Sequence, residues 1–184
     1  MEVTPLAIPA VLAIVPARHR DARGFLSEGW NQARFDQAVG RPVRFVQDNH
    51  SHSVRGVLRG LHYQVGQVQG KLVRAVAGAV FDVAVDLRRG APTFGHWVGL
   101  ELSAENGRQM WVPEGFAHGF YTLTDSADVI YKMTDYWAAQ HERSIAWDDP
   151  DIGIDWPLQG PPILGPRDQG ATAFKQAEVF ENLR

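Results

Sequence analysis

The sequence predicts an all-β protein in which short strands form a sandwich or a barrel. Between residues 71 and 134, runs rich in aliphatic and β-branched side chains recur about every ten residues and are separated by turn residues. Within one of these runs, Val83, Val85 and Leu87 alternate with Asp82 and Asp86. Short strands at this spacing are typical of closed β architectures, because closure removes most exposed strand edges.

The N-terminal part of the chain predicts an edge strand followed by a turn. The aliphatic run Val11–Val15 ends at Pro16, which cannot donate a hydrogen bond to a neighbouring strand. We therefore expect this strand at the edge of a sheet, where it could pair with a partner chain. Residues 21–24 are typical of a turn, and residues 25–30 predict a second extended segment.

Two segments predict helices. Asn31 is a suitable N-cap for a helix that continues to Ala38 and ends at Gly40, with Phe35 on its inner face. Near the C-terminus, residues 172–183 place apolar side chains at helical spacing and predict a second helix on the outside of the barrel. The apolar positions of that segment are Phe174, Ala177, Phe180 and Leu183.

The central strands predict hairpins. Residues 71–76 and 79–87 flank Gly78, which suits a tight turn between two paired strands. The remaining strand-like runs continue the series along the chain. They are Trp97–Leu102, Gln109–Val112, Phe116–Leu123 and Ala127–Thr134.

Composition restricts the class of protein. The 184 residues fit a single domain, residues 1–184, with a sizeable core. The net charge of −3 and the lack of a basic stripe argue against nucleic acid as a partner. The sequence has no cysteine, no basic leader before the apolar N-terminus and no apolar run near the roughly 20 residues that span a bilayer. We therefore expect a cytoplasmic protein with no membrane partner.

The segment RGVLRGLHYQVGQVQGK, residues 55–71, carries the strongest motif. Gly56, five further residues and then His62 match the opening of the first cupin motif, and Gly107 to His118 matches the second. The sequence thus resembles a cupin-type double-stranded β-helix, or jelly roll, with a few short peripheral helices. Gln64 occupies the place of the usual second histidine, and no acidic residue follows through residue 81.

These substitutions argue against a metal. A metal site needs three or four converging ligands, and only His62 and His118 remain of the usual set. His62 is then free to act as a base, although a lone histidine is more often structural. Arg59 and Lys71 nearby favour a functional site, because burying such groups without a ligand is costly. No Gly-x-Gly-x-x-Gly or Gly-x-Ser-x-Gly segment supports a nucleotide cofactor or serine hydrolysis.

Other candidate residues have both structural and chemical interpretations. Lys71 could be a solvated edge lysine or, if it points inward, the partner of an oxyanion. Tyr131 could be a core residue or a proton donor opposite a histidine. Arg23 and Arg59 could form surface salt bridges, although guanidinium groups also suit a pyrophosphate.

The ordered series of segments resembles the dTDP-4-dehydrorhamnose 3,5-epimerase family. The matching segments include DARGFLSE, FVQDNHSHS, GVLRGLHYQ, ENGRQMWVPEGFAHGF and YKMTDYW. The resemblance covers nearly the whole chain and implies a dTDP-4-keto-6-deoxyhexose as the substrate. It also implies a homodimer that exchanges its N-terminal segment, with no metal and no organic cofactor.

The resemblance assigns a role to each site residue. His62 would be the base, Tyr131 the acid on the opposite face of the sugar, and Lys71 the cation that steadies the enolate. Asp168 would orient His62, with Asp82 as the alternative. The nucleotide and pyrophosphate subsites would be lined by Arg23, Glu28, Gln47, Asn49, Arg59, His118, Glu142 and Arg167.

Two departures from the family pattern bear on the favoured substrate. Trp137 stands where the family commonly has a tyrosine that stacks on thymine, and Gly165 to Asp168 replaces the usual Ser-x-Lys-Asp. The sequence leaves open whether C3, C5 or both are inverted. It also leaves open a metal-dependent cupin oxygenase or isomerase, and a module that binds nucleotide sugars without turning them over. The epimerase is favoured, since sensing alone needs no acid, base and lysine in one barrel.

Overall fold

The computed structural model describes residues 1–181 and residue 183, and these fold mainly into β-strands. The strands are β1 Glu2–Pro5, β2 Leu12–Val15, β3 Arg18–Asp21, β4 Gly24–Ser27, β5 Gln47–Val54, β6 Val57–Gln64, β7 Lys71–Ala77, β8 Ala79–Asp86, β9 Trp97–Ser103, β10 Gln109–Val112, β11 Phe116–Thr122, β12 Ser126–Met133, β13 Glu142–Ser144 and β14 Ile163–Leu164. The helices are α1 Gln32–Val39 and α2 Pro166–Gln169. No described helix is long and apolar enough to cross a membrane.

The strand pairing is that of a jelly roll. The first sheet has the order β1-β2-β10-β7-β12-β5, and the second has the order β13-β6-β11-β8-β9. The pairs β5 with β12, β6 with β11, β7 with β10 and β8 with β9 are all antiparallel and nested, as in one long hairpin rolled into a barrel. The predicted all-β jelly roll is therefore confirmed.

The predicted hairpin around Gly78 is wrong. β7 pairs with β10 and β12 in the first sheet, whereas β8 pairs with β9 and β11 in the second, so the chain crosses between sheets at Gly78. Gly78 has a φ of 63°, and a Cβ there would lie 2.0 Å from the carbonyl oxygen of Ser126. A turn signal and alternating side chains are common to a hairpin and to a crossing between sheets, so the sequence pattern could not separate them.

The core consists of three apolar clusters, two of which pack on the two faces of the second sheet. Between the sheets, Val73 and Val129 of the first sheet pack with Leu102 and Phe120 of the second. Val83 and Val85 instead face outward from β8, where Trp156 and Phe180 of the C-terminal segment cover them. The two clusters together bury both faces of the second sheet. On the interior side of β8, Asp82 contacts His118 of the cavity described below.

The structure confirms the predicted helix α1 to within one residue. The side chain of Asn31 accepts a hydrogen bond from the backbone N–H of Arg34 at 3.2 Å, and Gly40 ends the helix with a φ of 77°. Phe35 is 1% exposed and packs edge-to-face on Trp111, with ring centroids 5.3 Å apart.

The predicted C-terminal helix is wrong in the part that the structure describes. Only residues 174–176 form a short 3₁₀ turn, and Asn182 of the predicted helix lies outside the described residues. Phe180 exchanges backbone hydrogen bonds with Leu87 and Arg89, so the segment is extended against the second sheet. Backbone pairing with the second sheet outweighs the helical spacing of the apolar side chains in this segment. An extended segment can also place these side chains on an apolar surface.

The predicted edge position of residues 11–15 is also wrong. β2 pairs with β1 on one side and with β10 on the other, so β1 is the edge at that end of the first sheet. Pro16 lies just beyond β2 and removes no hydrogen bond from either pairing. At the other end of the sheet, β5 has a free edge within the described chain.

Replacing Phe35 by alanine tests the contribution of α1 to stability. Because the ring is buried against Trp111, Phe35→Ala should lower the free energy of unfolding by about 3 to 5 kcal/mol, measured by urea denaturation. Phe35→Leu should cost clearly less, since it retains most of the buried volume. A loss below about 1 kcal/mol for Phe35→Ala would show that α1 packs too loosely to stabilise the barrel.

Candidate active site

A cavity of about 420 Å³ lies between the two sheets and contains most of the predicted site residues. Strands β5, β7 and β12 of the first sheet form one wall, and β6 and β11 of the second sheet form the other. The lining residues are Gln47, Asn49, Ser51, Arg59, His62, Lys71, His118, Phe120, Tyr131, Trp137, Glu142 and Arg167.

Strand register explains why these side chains meet. Alternate residues of a strand face the same side, so Gln47, Asn49 and Ser51 all line the cavity from β5. Tyr131 of β12 is the cross-strand partner of Asn49. His62 of β6 lies on the other sheet, so His62 and Tyr131 approach the same cavity from opposite walls.

His62 is oriented by Asp168. The Nε2 atom of His62 lies 2.5 Å from Oδ1 of Asp168, which is buried and also accepts a hydrogen bond from the backbone N–H of Gly60. Asp168 belongs to α2, and β14 anchors this helix by pairing with β6. A neutral imidazole that donates from Nε2 to a carboxylate keeps the Nδ1 lone pair available as a base.

Asp82, the alternative partner of His62, binds a different histidine. Oδ1 of Asp82 lies 2.8 Å from Nε2 of His118, and both side chains are buried. The other oxygen of Asp82 has no hydrogen-bond partner among the described residues. The floor of the cavity therefore holds a second histidine–carboxylate pair.

Lys71 is buried at the cavity rather than solvated at a sheet edge. Its ammonium group donates to the backbone carbonyl of His62 at 3.4 Å. Burial lowers the pKa of Lys71 from 10.5 to about 8, and the negative charges of Asp82 and Glu142 oppose this shift. Lys71 thus remains mainly protonated at neutral pH and supplies a cation beside His62.

The cavity rim carries an aromatic ring and an ion pair. The indole N–H of Trp137 donates to Oε2 of Glu142 at 2.8 Å, and Arg167 forms an ion pair with the other oxygen of Glu142. Trp137 is 53% exposed, so a planar group could stack on its ring. Arg59 is held by hydrogen bonds to Ser53 and to the backbone of His52.

Arg23 and Glu28 do not reach the cavity of their own chain. Arg23 pairs with Asp21 at 2.6 Å, and its side chain is 90% exposed. Glu28 pairs with Arg34 at 3.2 Å and accepts a hydrogen bond from Asn31. Both lie beside the hairpin of β3 and β4, which forms a separate two-stranded sheet. Their predicted roles stay predictions.

Sequence reasoning missed two lining residues. Ser51 follows Gln47 and Asn49 at the same two-residue interval, so the strand alternation could have identified it. Phe120 lies two residues after His118 on β11 and was recognisable by the same rule. Within residues 1–181 and 183, no group of three His, Asp or Glu side chains is arranged to hold a metal ion.

The buried charge of Lys71 should lower the stability of the folded protein. Holding its pKa near 8 instead of 10.5 costs roughly 3 kcal/mol at pH 7. The cost is fully present below pH 8, where the lysine is charged in both states. It disappears as the pH rises from 8 to 10.5, because the folded state releases the proton first.

Lys71→Met should therefore raise the free energy of unfolding at pH 7 by up to roughly 3 kcal/mol while it removes the cation from the cavity. The gain relative to wild type should shrink as the pH approaches 10.5. Urea denaturation at pH 7 and pH 10 measures both effects, and Lys175→Met on the exposed surface is the control. A less stable Lys71→Met protein at pH 7 would contradict this electrostatic account.

Comparisons with known proteins agree with this geometry. The family model described as dTDP-4-dehydrorhamnose 3,5-epimerase matches residues 5–176. A relative of that name from Pseudomonas aeruginosa is 61% identical over 98% of this chain and 99% of its own length. A dTDP-4-dehydrorhamnose 3-epimerase from Streptomyces niveus is 42% identical over 96% of this chain and 86% of its own length.

A solved structure has the same fold throughout. The dTDP-6-deoxy-D-glucose-3,5-epimerase of Legionella pneumophila, in complex with dTDP-4-keto-L-rhamnose, superposes with a TM-score of 0.97. It is 47% identical in sequence, and the match covers 100% of this chain and 99% of that chain. Together with the matching family model, these similarities show that the chain belongs to the dTDP-4-dehydrorhamnose 3,5-epimerase family.

Proposed function

We propose that this protein epimerises a dTDP-4-keto-6-deoxyhexose at C3 and C5. The observation that carries the proposal is the placement of the His62 imidazole and the Tyr131 phenol on opposite walls of one cavity. Inversion of a carbon requires removal of a proton on one face and delivery of a proton on the other. The name of the Pseudomonas relative and the sugar nucleotide bound to the Legionella enzyme support this choice of substrate.

The ketone at C4 makes the reaction feasible because it acidifies the hydrogens on C3 and C5. His62, oriented by Asp168, removes one proton through Nδ1, and the C–H electron pair moves onto the C4 oxygen as an enolate. The ammonium group of Lys71 stabilises that oxyanion. Tyr131 then donates its proton to the opposite face of the carbon. Proton exchange with solvent returns His62 and Tyr131 to their starting protonation states.

Each of the three groups is expected to contribute measurably to the rate. A positioned acid or base contributes roughly 10² to 10⁴-fold in rate. Removing one donor to a developing oxyanion typically costs about 2.7 to 4 kcal/mol of barrier stabilisation. Burial of Lys71 strengthens its interaction with the enolate, because the surrounding dielectric constant is low.

The nucleotide would bind at the rim of the cavity. Arg59 and Arg167 offer guanidinium groups to the pyrophosphate, and the exposed face of Trp137 offers a stacking surface for thymine. His118, held by Asp82, would donate a hydrogen bond deeper in the cavity. Gln47, Asn49 and the remaining lining residues would complete the subsites.

We propose that the protein acts as a homodimer of single jelly-roll domains, residues 1–184. Phe25 and Leu26 of the β3–β4 hairpin are 54% and 74% exposed, and β5 has a free edge beside the cavity in the described part of the chain. A hairpin that crosses to a partner would cover these apolar side chains and bring Arg23 and Glu28 to the partner's rim. The cytoplasmic location expected from the sequence stays a prediction.

An epimerase that inverts a single carbon is the second candidate. The similarity to the Streptomyces niveus 3-epimerase favours it, and the same acid, base and cation would serve. The higher identity to the Pseudomonas 3,5-epimerase favours inversion of both carbons.

Proton NMR in heavy water tests the acid and the base directly. The wild-type protein should incorporate deuterium at C3 and C5 of the 4-keto substrate. His62→Ala should lose incorporation by roughly 10² to 10⁴-fold, and Tyr131→Phe should lose inversion to a similar extent. His96→Ala, in an exposed loop, is the matched histidine control and should keep the wild-type rate. Undiminished incorporation in His62→Ala would refute the role of the base, and undiminished inversion in Tyr131→Phe would refute the role of the acid.

The pH dependence of kcat/KM tests the role of Lys71. Because kcat/KM reports groups of the free enzyme, activity should fall as the pH rises through about 8, where Lys71 loses its charge. Lys71→Arg should keep a cation and move this alkaline limb upward, although the rate should fall because the guanidinium is larger. An alkaline limb that stays near pH 8 in Lys71→Arg would assign it to another group.

A further inference from the structure

A chain of hydrogen bonds runs from the cavity rim to the proposed acid. The backbone N–H of Trp137 donates to Oε1 of Gln47 at 2.9 Å. Nε2 of Gln47 donates to Oδ1 of Asn49 at 2.8 Å, and Nδ2 of Asn49 donates to the hydroxyl oxygen of Tyr131 at 3.3 Å. All three side chains line the cavity.

The polarity of this chain is set at its outer end. A backbone N–H can only donate, so it holds the carbonyl oxygen of the Gln47 amide towards Trp137. The Gln47 NH₂ group must then face Asn49, whose carbonyl oxygen accepts from it. The Asn49 NH₂ group is therefore directed at Tyr131. Trp137 is itself held at both ends, by Gln47 through its backbone and by Glu142 through its indole.

We infer that Asn49 is a positioning residue that keeps Tyr131 in the proton-donating orientation, and that Gln47 sets the direction of the Asn49 amide. This inference rests on the proposed function and assigns Asn49 a task within the reaction. A hydroxyl that accepts from Asn49 keeps its own O–H bond free to point into the cavity. Once the proton has passed to the substrate carbon, the same N–H group stabilises the phenolate that remains.

The hydrogen-bond chain predicts that Gln47, which does not contact Tyr131, affects proton donation by Tyr131. In Gln47→Glu, which has nearly the same shape, the new carboxylate can only accept. Asn49 would rotate its amide to donate to this carboxylate and would present its carbonyl oxygen to Tyr131. The phenol would then donate to Asn49 instead of to the substrate.

The experiment compares two rates with the 4-keto substrate deuterated at C3 and C5. Release of deuterium to solvent measures proton abstraction by His62, and NMR of the product measures inversion. Gln47→Glu should lower the ratio of inversion to release by at least about tenfold, within the roughly 10² to 10⁴-fold that a positioned acid contributes. Asn49→Asp should have the same effect, because its carboxylate also accepts from the phenol.

Two controls separate this effect from added charge and from lost packing. Ser51→Asp places a negative charge on the same face of β5, outside the hydrogen-bond chain. It should raise KM and leave the ratio of inversion to release at the wild-type value. Gln47→Met removes both polar atoms without imposing the reversed polarity, so the ratio should fall less than in Gln47→Glu.

A double-mutant cycle with Tyr131→Phe shows whether the effect passes through the phenol. In the Tyr131→Phe background, Gln47→Glu and Asn49→Asp should leave the ratio unchanged. A ratio that is unchanged in both single variants, or that falls by the same factor with and without Tyr131, would overturn the inference. A wild-type protein that releases no deuterium and inverts no carbon would instead overturn the proposed function itself.

Discussion

The nested pairing of the jelly roll is the constraint on which the site depends. Because β5 pairs with β12 while β6 pairs with β11, consecutive parts of the chain alternate between the two walls of the barrel. His62 and Tyr131, far apart in sequence, face one another as a result. A single-residue shift in the register of either strand would turn its functional side chain out of the cavity.

The interior carries more charge than folding alone would favour. Lys71, Asp82 and Asp168 are all buried, and each pays a desolvation cost that only partners within the cavity can offset. Asp82 keeps one oxygen without a partner among the described residues, and the pKa of Lys71 is lowered to about 8. Buried and perturbed charges of this kind are typical of functional sites. Here they lie beside the residues proposed as base, cation and acid.

Much of the site could be predicted from the sequence, whereas part of the topology could not. The cupin-like motifs identify His62 and His118 because their spacing is local. The strand pattern alone leaves Tyr131 with two interpretations, and the family resemblance assigns roles to Tyr131 and Asp168 across long separations. The prediction of a hairpin at Gly78 is wrong because the alternation of apolar and polar residues shows which face of a strand is buried and not which strand lies beside it. The prediction of a C-terminal helix is wrong because residues 174–181 find their backbone hydrogen-bond partners in the barrel. The choice between Asp168 and Asp82 likewise depends on which carboxylate approaches each histidine, which only the packing of α2 and β8 decides.

The C-terminal layer does more than cover apolar surface. The same wrapping segment that shields the outside of the second sheet with Trp156 and Phe180 also delivers Asp168 to the imidazole through α2. Asp149 holds this C-terminal segment in place by accepting a hydrogen bond from the backbone N–H of Phe174 at 2.7 Å. The orientation of the imidazole therefore depends on how the C-terminal segment packs around the barrel. Substitutions in that packing, far from the cavity, can alter the chemistry while the barrel itself stays intact.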